Sequence, residues 1–285
     1  MQAPIRNNLK KLDISFNLLT EFPSEITYLE NLRILDINSN EIDFLPKKLG
    51  TLPHLTRLNF SSNHLGKSNH NTWKWLEQAT VRYKLGELDL SSNLLTELPP
   101  QIGNLNALTL LRLAYNKLKC LPHSLGNLKK LKQLDLFNND LLYLPGSVGH
   151  LSACIIVEGN PFNLNNDNDD DLITNLKVPS LLDCSAEFIL KTGNLDDYIS
   201  RLKNREGLSP ELVKYLNEEK YCFFCETPCF RYYGKRFINY SVYDEVLDLE
   251  LTSRIYHSYI SPNVKNVKIE CYACSSECAK RLRFD

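Results

Sequence analysis

Residues 9–17 read LKKLDISFN, and the same spelling comes back five times along the chain. It returns as LRILDINSN at 32–40, LTRLNFSSN at 55–63, LGELDLSSN at 85–93, LTLLRLAYN at 108–116 and LKQLDLFNN at 131–139. The shared pattern is LxxLxLxxN. Its asparagines, Asn17, Asn40, Asn63, Asn93, Asn116 and Asn139, step by 23, 23, 30, 23 and 23 residues. A seventh, irregular unit carries Ile155, Val157 and Asn160, 21 residues further on. A fixed period of this size marks stacked supersecondary units that share one continuous core.

Each position in the unit has a physical reason. The LxL run alternates side chains in and out, as on a short strand. The asparagine stands where the chain leaves that strand, and its amide can bond turn backbone that would otherwise be buried unpaired. Leu-Pro follows at Leu45-Pro46, Leu98-Pro99, Leu121-Pro122 and Leu144-Pro145, with Phe22-Pro23 as a variant. Proline fixes φ and cannot continue the ladder, so the return arm starts there. Leucine-glycine pairs such as Leu49-Gly50 and Leu125-Gly126 close it. The prediction is an α/β solenoid, a horseshoe with a concave parallel sheet. The outward column inside each LxL is Asp13, Asp36, Asn59, Asp89, Arg112 and Asp135; the next is Ser15, Asn38, Ser61, Ser91, Ala114 and Phe137. The first column reads either as a partner-binding stripe for a basic or amide-rich surface or as repeat filler.

One unit is long. Residues 64–84 hold seven extra residues and both tryptophans, Trp73 and Trp75. A protruding contact loop is one reading; a convex-side helix with its tryptophans packed on the core is the favoured one, because tryptophan usually buries most of its surface. The N-terminus lacks the apolar region of a signal peptide and is already in repeat register. It opens inside the first repeat without a capping unit, which reads as a truncation or a lost upstream domain. The net charge is -1, so no global field favours nucleic acid or an anionic membrane. No run approaches the roughly 18–20 apolar residues of a spanning helix. The expected location is cytoplasmic, nuclear or both.

The composition changes after residue 162. We divide the chain into a repeat domain (1–162), an acidic linker (163–176) and a C-terminal region (177–285). The linker's NLNNDNDDD lacks the glycine turn and terminal glutamate of a calcium loop. Pro179 and Ser180 then open a helix on which Leu181, Ser185 and Ile189 share one face, with Ser185 as a notch between aliphatic knobs. This is either a partner-docking face or an ordinary capping helix. Residues 206–219 read as a second short helix, with Ser209 as N-cap and Pro210 in the first turn.

Six of the nine cysteines lie in the last 64 residues, as Cys222-x2-Cys225-x3-Cys229 and Cys271-x2-Cys274-x3-Cys278. Two such hooks make a tetrahedral thiolate cage suited to structural zinc. The expected ligands are Cys222, Cys225, Cys274 and Cys278; Cys229 or Cys271 could replace a neighbour, as could His257. A closed site of this kind has no open position for catalysis. The chain has no phosphate loop, no HExxH and no GxSxG, so we read it as a non-enzyme.

The repeats resemble the Leu-Pro class of intracellular leucine-rich repeat, over residue 9 to about 162. The C-terminal region, with Pro179-Ser180-Leu181-Leu182, a short helix and cysteine hooks ending Cys274-Ser-Ser-Glu-Cys278, resembles that of leucine-rich-repeat substrate receptors of elongin–cullin ubiquitin ligases. The resemblance implies an elongin-binding box at Leu181, Ser185 and Ile189. It implies a cullin-selecting box at Leu208, Pro210, Leu212 and Leu216, where proline falls later than in the usual Leu-Pro start. It also implies elongin B/C and a cullin as partners, with a protein substrate on the concave face. The alternative is a signalling scaffold of the Ras-suppressor type, which would use the concave face alone.

Overall fold

The computed structural model describes residues 8–67, 73–162, 173–174, 220–225, 228–229, 234–241, 259–260, 266–274 and 278. Each LxL run forms a three-residue strand: β1 (Lys11–Asp13), β2 (Ile34–Asp36), β3 (Arg57–Asn59), β4 (Glu87–Asp89), β5 (Leu110–Arg112) and β6 (Gln133–Asp135). Then come β7 (Leu144–Pro145), β8 (Cys154–Ile156), β9 (Ile173–Thr174), β10 (Lys220–Tyr221) and β11 (Pro228–Cys229). The last are β12 (Gly234–Ser241), β13 (Tyr259–Ile260) and β14 (Asn266–Ala273).

One parallel sheet runs β1-β2-β3-β4-β5-β6-β8. Its register stacks Leu12, Leu35, Leu58, Leu88, Leu111, Leu134 and Ile155 in a single inward column. From Leu35 onward this column is buried, because each leucine is covered on both sides by the next unit. Among the described residues Leu12 has a neighbouring unit on one side, and it is only partly buried.

The asparagines hold the units together. Asn63 Nδ2 donates to the carbonyls of Phe60 and Ser61 in its own unit and of Ile37 in the unit before. Its Oδ1 accepts from the N–H of Ile42 at 3.1 Å. Asn40, Asn93, Asn116 and Asn139 repeat this arrangement. The residue before each asparagine is left-handed: Phe16, Ser39, Ser62, Ser92, Tyr115 and Asn138 have φ of 53 to 55°, and Gly159 follows suit at 75°. This turn aims the amide inward, under the sheet's end.

The return arms begin with extended prolines and become short 3-10 helices at Lys47–Thr51, Pro100–Asn104, His123–Asn127 and Gly146–His150. Arms pack backbone to backbone. A Cβ on Gly103 would stand 2.2 Å from the Ser124 carbonyl oxygen. The long unit folds as a 3-10 turn at Lys74–Glu77 and a helix, α1, at Ala79–Lys84. Trp75 is fully buried and Trp73 packs against the same core, so the extra residues described here pack inward, as the favoured reading had it.

The C-terminal strands share the repeats' core and sheet. β13 pairs parallel with β8 and becomes the eighth strand of the concave sheet. β14 pairs parallel with β7 on the return side and antiparallel with β12 along its whole length. β9 pairs with β12, which places Ile173 and Thr174, within the stretch read as linker, on a sheet edge. β10 and β11 form a small antiparallel pair. Cys222, Phe223, Phe224, Val267, Ile269, Cys271 and Ala273 join the core of the repeats. The residues proposed for the two boxes, and His257, lie outside the described residues.

Candidate functional site

The concave stripe has a structural duty of its own. Asp13, Asp36, Asn59, Asp89 and Asp135 each accept, at 3.0 to 3.2 Å, the N–H of the residue two further on. These are turns that short acidic and amide side chains make with their own backbone. The Ser15 hydroxyl and N–H, with Lys11 nearby, hold Asp13 below the usual carboxylate range. Other oxygens face neighbours along the stripe: Asn59 Nδ2 donates to Asp36 Oδ2 at 3.1 Å, and Arg112 reaches Asp89 Oδ2 at 3.5 Å. Beside them Arg57 meets Glu87 at 3.1 Å. The middle of the face is therefore charge-matched rather than a bare anionic track. Further along, Ala114 is buried, whereas exposed Tyr115 stacks edge-on against half-buried Phe137, their rings 5.3 Å apart.

The structure brings Cys222, Cys225, Cys274 and Cys278 together, with all four sulfurs within 4.8 Å of one another. The Cys225–Cys274, Cys274–Cys278 and Cys278–Cys225 separations are 3.4, 3.8 and 4.0 Å. Four thiolates about 2.3 Å from a tetrahedral zinc ion would stand about 3.8 Å apart, so the donor set fits zinc in number, type and size. Cys222 comes from the turn after β10. Cys274 directly follows β14, and its hook is brought over by the bridge between Cys222 and Tyr272.

The surroundings favour thiolate at Cys222. The Cys229 thiol donates to its sulfur, as do the N–H groups of Cys225, Cys274 and Phe224, lowering its pKa to about 3 against the opposing effect of burial. Donating that bond, together with burial, pushes Cys229 up. Burial and the neighbouring thiols push Cys274 up as well. Four clustered thiols resist ionising together unless a cation supplies the compensating charge. Cys271 is buried with its sulfur 4.0 Å from the Ile269 carbonyl oxygen. Neither Cys229 nor Cys271 belongs to the group of four.

A third cluster was not legible in the sequence. Glu270 on β14 is buried, and its carboxylate contacts Lys235 on β12, His123 at 3.3 Å and the Tyr272 hydroxyl at 2.9 Å. Burial alone would raise its pKa; hydrogen bonds and charge from His123 and Lys235 outweigh it and bring the value to about 2. Tyr272 in turn lies edge-on to His123 and under the Lys220 ammonium. His123 sits on a return arm at a position that Lys47 and Pro100 occupy in other units, so no repeat position announces it.

Residues 7–65 and 84–141 match the leucine rich repeat family. Among solved structures, a leucine-rich-repeat protein of Leptospira interrogans is similar, with 34% identity and a TM-score of 0.50. The match covers 56% of this chain and 40% of that protein, so this chain spans well under two thirds of its length. A comparison with curated proteins finds no match. The repeat segment is thus a leucine-rich-repeat solenoid with a parallel concave sheet, an architecture whose open face generally serves protein recognition.

Proposed function

We propose that this chain is a protein-interaction adaptor that holds a protein target on its concave face. We further propose that it is the substrate-recognition subunit of an elongin–cullin ubiquitin ligase. The observation that carries the first part is the continuous face over β1 to β6, whose polar side chains are organised by their own turns and neighbours. A pre-ordered surface loses little conformational entropy on binding. The second part rests on the order of motifs after the repeats: Leu181, Ser185 and Ile189, then Leu208, Pro210, Leu212 and Leu216, then the cysteine hooks. In this reading the four-cysteine group takes one structural zinc ion and the chain performs no chemistry. Elongin B/C and a cullin dock on the 179–216 segment in the cytoplasm or nucleus, and transfer gains from the raised effective concentration of the target.

The test is co-purification of elongin B/C with the full chain. Wild type is expected to bring down the pair, and the double substitution Leu181→Ala, Ser185→Arg to lose it. A wild-type chain that captures no elongin overturns the ligase reading and leaves the signalling-scaffold alternative. Point substitutions are the right instrument. Removing residues 177–285 would also strip β13, β14 and Phe223 from the repeats and confound the result.

A further inference from the structure

We propose that metal at Cys222, Cys225, Cys274 and Cys278 is the fastening of the solenoid's C-terminal cap. With zinc bound, the cap closes the free edge of the concave sheet; without it, that edge opens. This deepens the zinc reading above and rests on it.

The cap is held to the repeats by small elements. β13 contributes two residues to the edge of β8, and β14 meets β7 over two residue pairs. Pairings this short are marginal by themselves and lean on the packing of Phe223, Val267 and Ile269 and on any further restraint. The restraint is placed where it can act on both. One hook flanks Phe223 and Phe224. Phe223 inserts against Gly146 and Gly149 on the last return arm, and His150 Nε2 lies 3.1 Å from its carbonyl oxygen. The other hook stands at the end of β14, and the Phe223 N–H donates to the Tyr272 carbonyl at 2.8 Å. A metal joining Cys225 to Cys274 closes a 49-residue loop that contains both β12 and β13. Closing such a loop limits what the detached strands can explore, so β13 stays within reach of β8. Because the ligands come together only when the cap is folded, metal affinity and cap folding are one equilibrium.

The structure makes the direction of the effect local. β13 pairs with β8 alone in this sheet, whereas β1 to β6 are paired with one another and do not pair with it there. Loss of metal should therefore loosen residues 144–157 and leave the earlier units intact.

The experiment uses the full chain, purified under reducing conditions without chelator. Elemental analysis is expected to give one zinc per chain, and none in the Cys274→Ser, Cys278→Ser double variant. Amide exchange in 144–157 should accelerate by about tenfold or more when a chelator removes the metal from wild type, and recover on adding zinc back. Exchange in 32–113 should not change. A chain that binds no zinc overturns the metal reading and the cap proposal with it. A chain that binds one zinc yet keeps its protection in 144–157 after removal leaves the metal reading standing and overturns the coupling. Loss of protection throughout 32–157 would also overturn it, since the effect would then be global.

Discussion

The carbonyl oxygen of Glu270 lies 2.7 Å from the point where a Cβ on Gly146 would stand. Gly146 follows the last Leu-Pro of the repeats, where other units carry lysine, proline or histidine. Its missing side chain lets β14 approach the return arm closely enough to pair with Leu144 and Pro145. The obstacle to a larger residue is backbone, which cannot rotate aside. Gly146→Ala should therefore destabilise the cap by roughly 1–3 kcal/mol, as overpacking does. Gly149→Ala is the control, because its Cβ would meet only the edge of Phe223 at an ordinary 3.5 Å. Thermal unfolding of both variants checks this; equal losses would contradict it.

The asparagine ladder supports a graded prediction. Asn63→Ala leaves the buried N–H of Ile42 without its partner and takes one of two amide donors from each of the carbonyls of Ile37 and Phe60, which keep Asn40 and Asn93. An orphaned buried polar group costs roughly 1–3 kcal/mol, so a loss within that range is expected. Asn17→Ala should cost under about 1 kcal/mol, because exposed Asn17 bonds only its own turn carbonyls. Denaturant unfolding of the two variants tests the difference.

The left-handed residue before each asparagine sets a sign. Ser92 is exposed with φ of 54°. Ser92→Val should destabilise by roughly 1–2 kcal/mol, since a β-branched side chain clashes there. Ser92→Gly should not destabilise, although glycine in most positions does. If chemical denaturation shows both substitutions costing the same, backbone strain is not what governs the site.

Glu270 sets a pH dependence. Its folded-state pKa of about 2 lies below the ordinary 4.5. Its ionised form is therefore stabilised by folding. That contribution is present above about pH 4.5 and is lost as pH falls through about 2. Glu270→Gln removes this ionisable carboxylate, so the stability difference between the two chains follows its titration across the acid window. That difference should be largest near neutrality and shrink across this acid window. A gap that stays constant down to pH about 2 would rule out the ionised cluster as its source.

Much of this was written in the repeat. LxxLxLxxN specifies both strand and turn, because leucines two apart must face one way and the asparagine must satisfy backbone where the strand stops. Trp75 was expected in the core on the size of its side chain alone. The outward column was named correctly as a column, but its residues could not reveal that Asp36, Asp89 and their neighbours spend one oxygen on their own turns. That depends on the backbone angle after each strand.

The C-terminal segment divides differently. The spacing of Cys222, Cys225, Cys274 and Cys278 pointed to a shared cage, since short hooks carry their own local geometry. Where that cage sits could not be read. Nothing local to Glu270 names His123, 147 positions away in the chain, and nothing around Tyr259 announces that it will pair with Cys154. By itself the sequence determined the repeat, its period, its inward and outward faces and the kind of metal site its cysteines can form, because those follow from local periodicity and side-chain chemistry. The tertiary structure alone decided that the last strands close the solenoid rather than stand apart from it. That outcome depends on Phe223 and Glu270 finding the space left by Gly146 on an arm more than 70 residues earlier, and no short-range pattern encodes a contact of that reach.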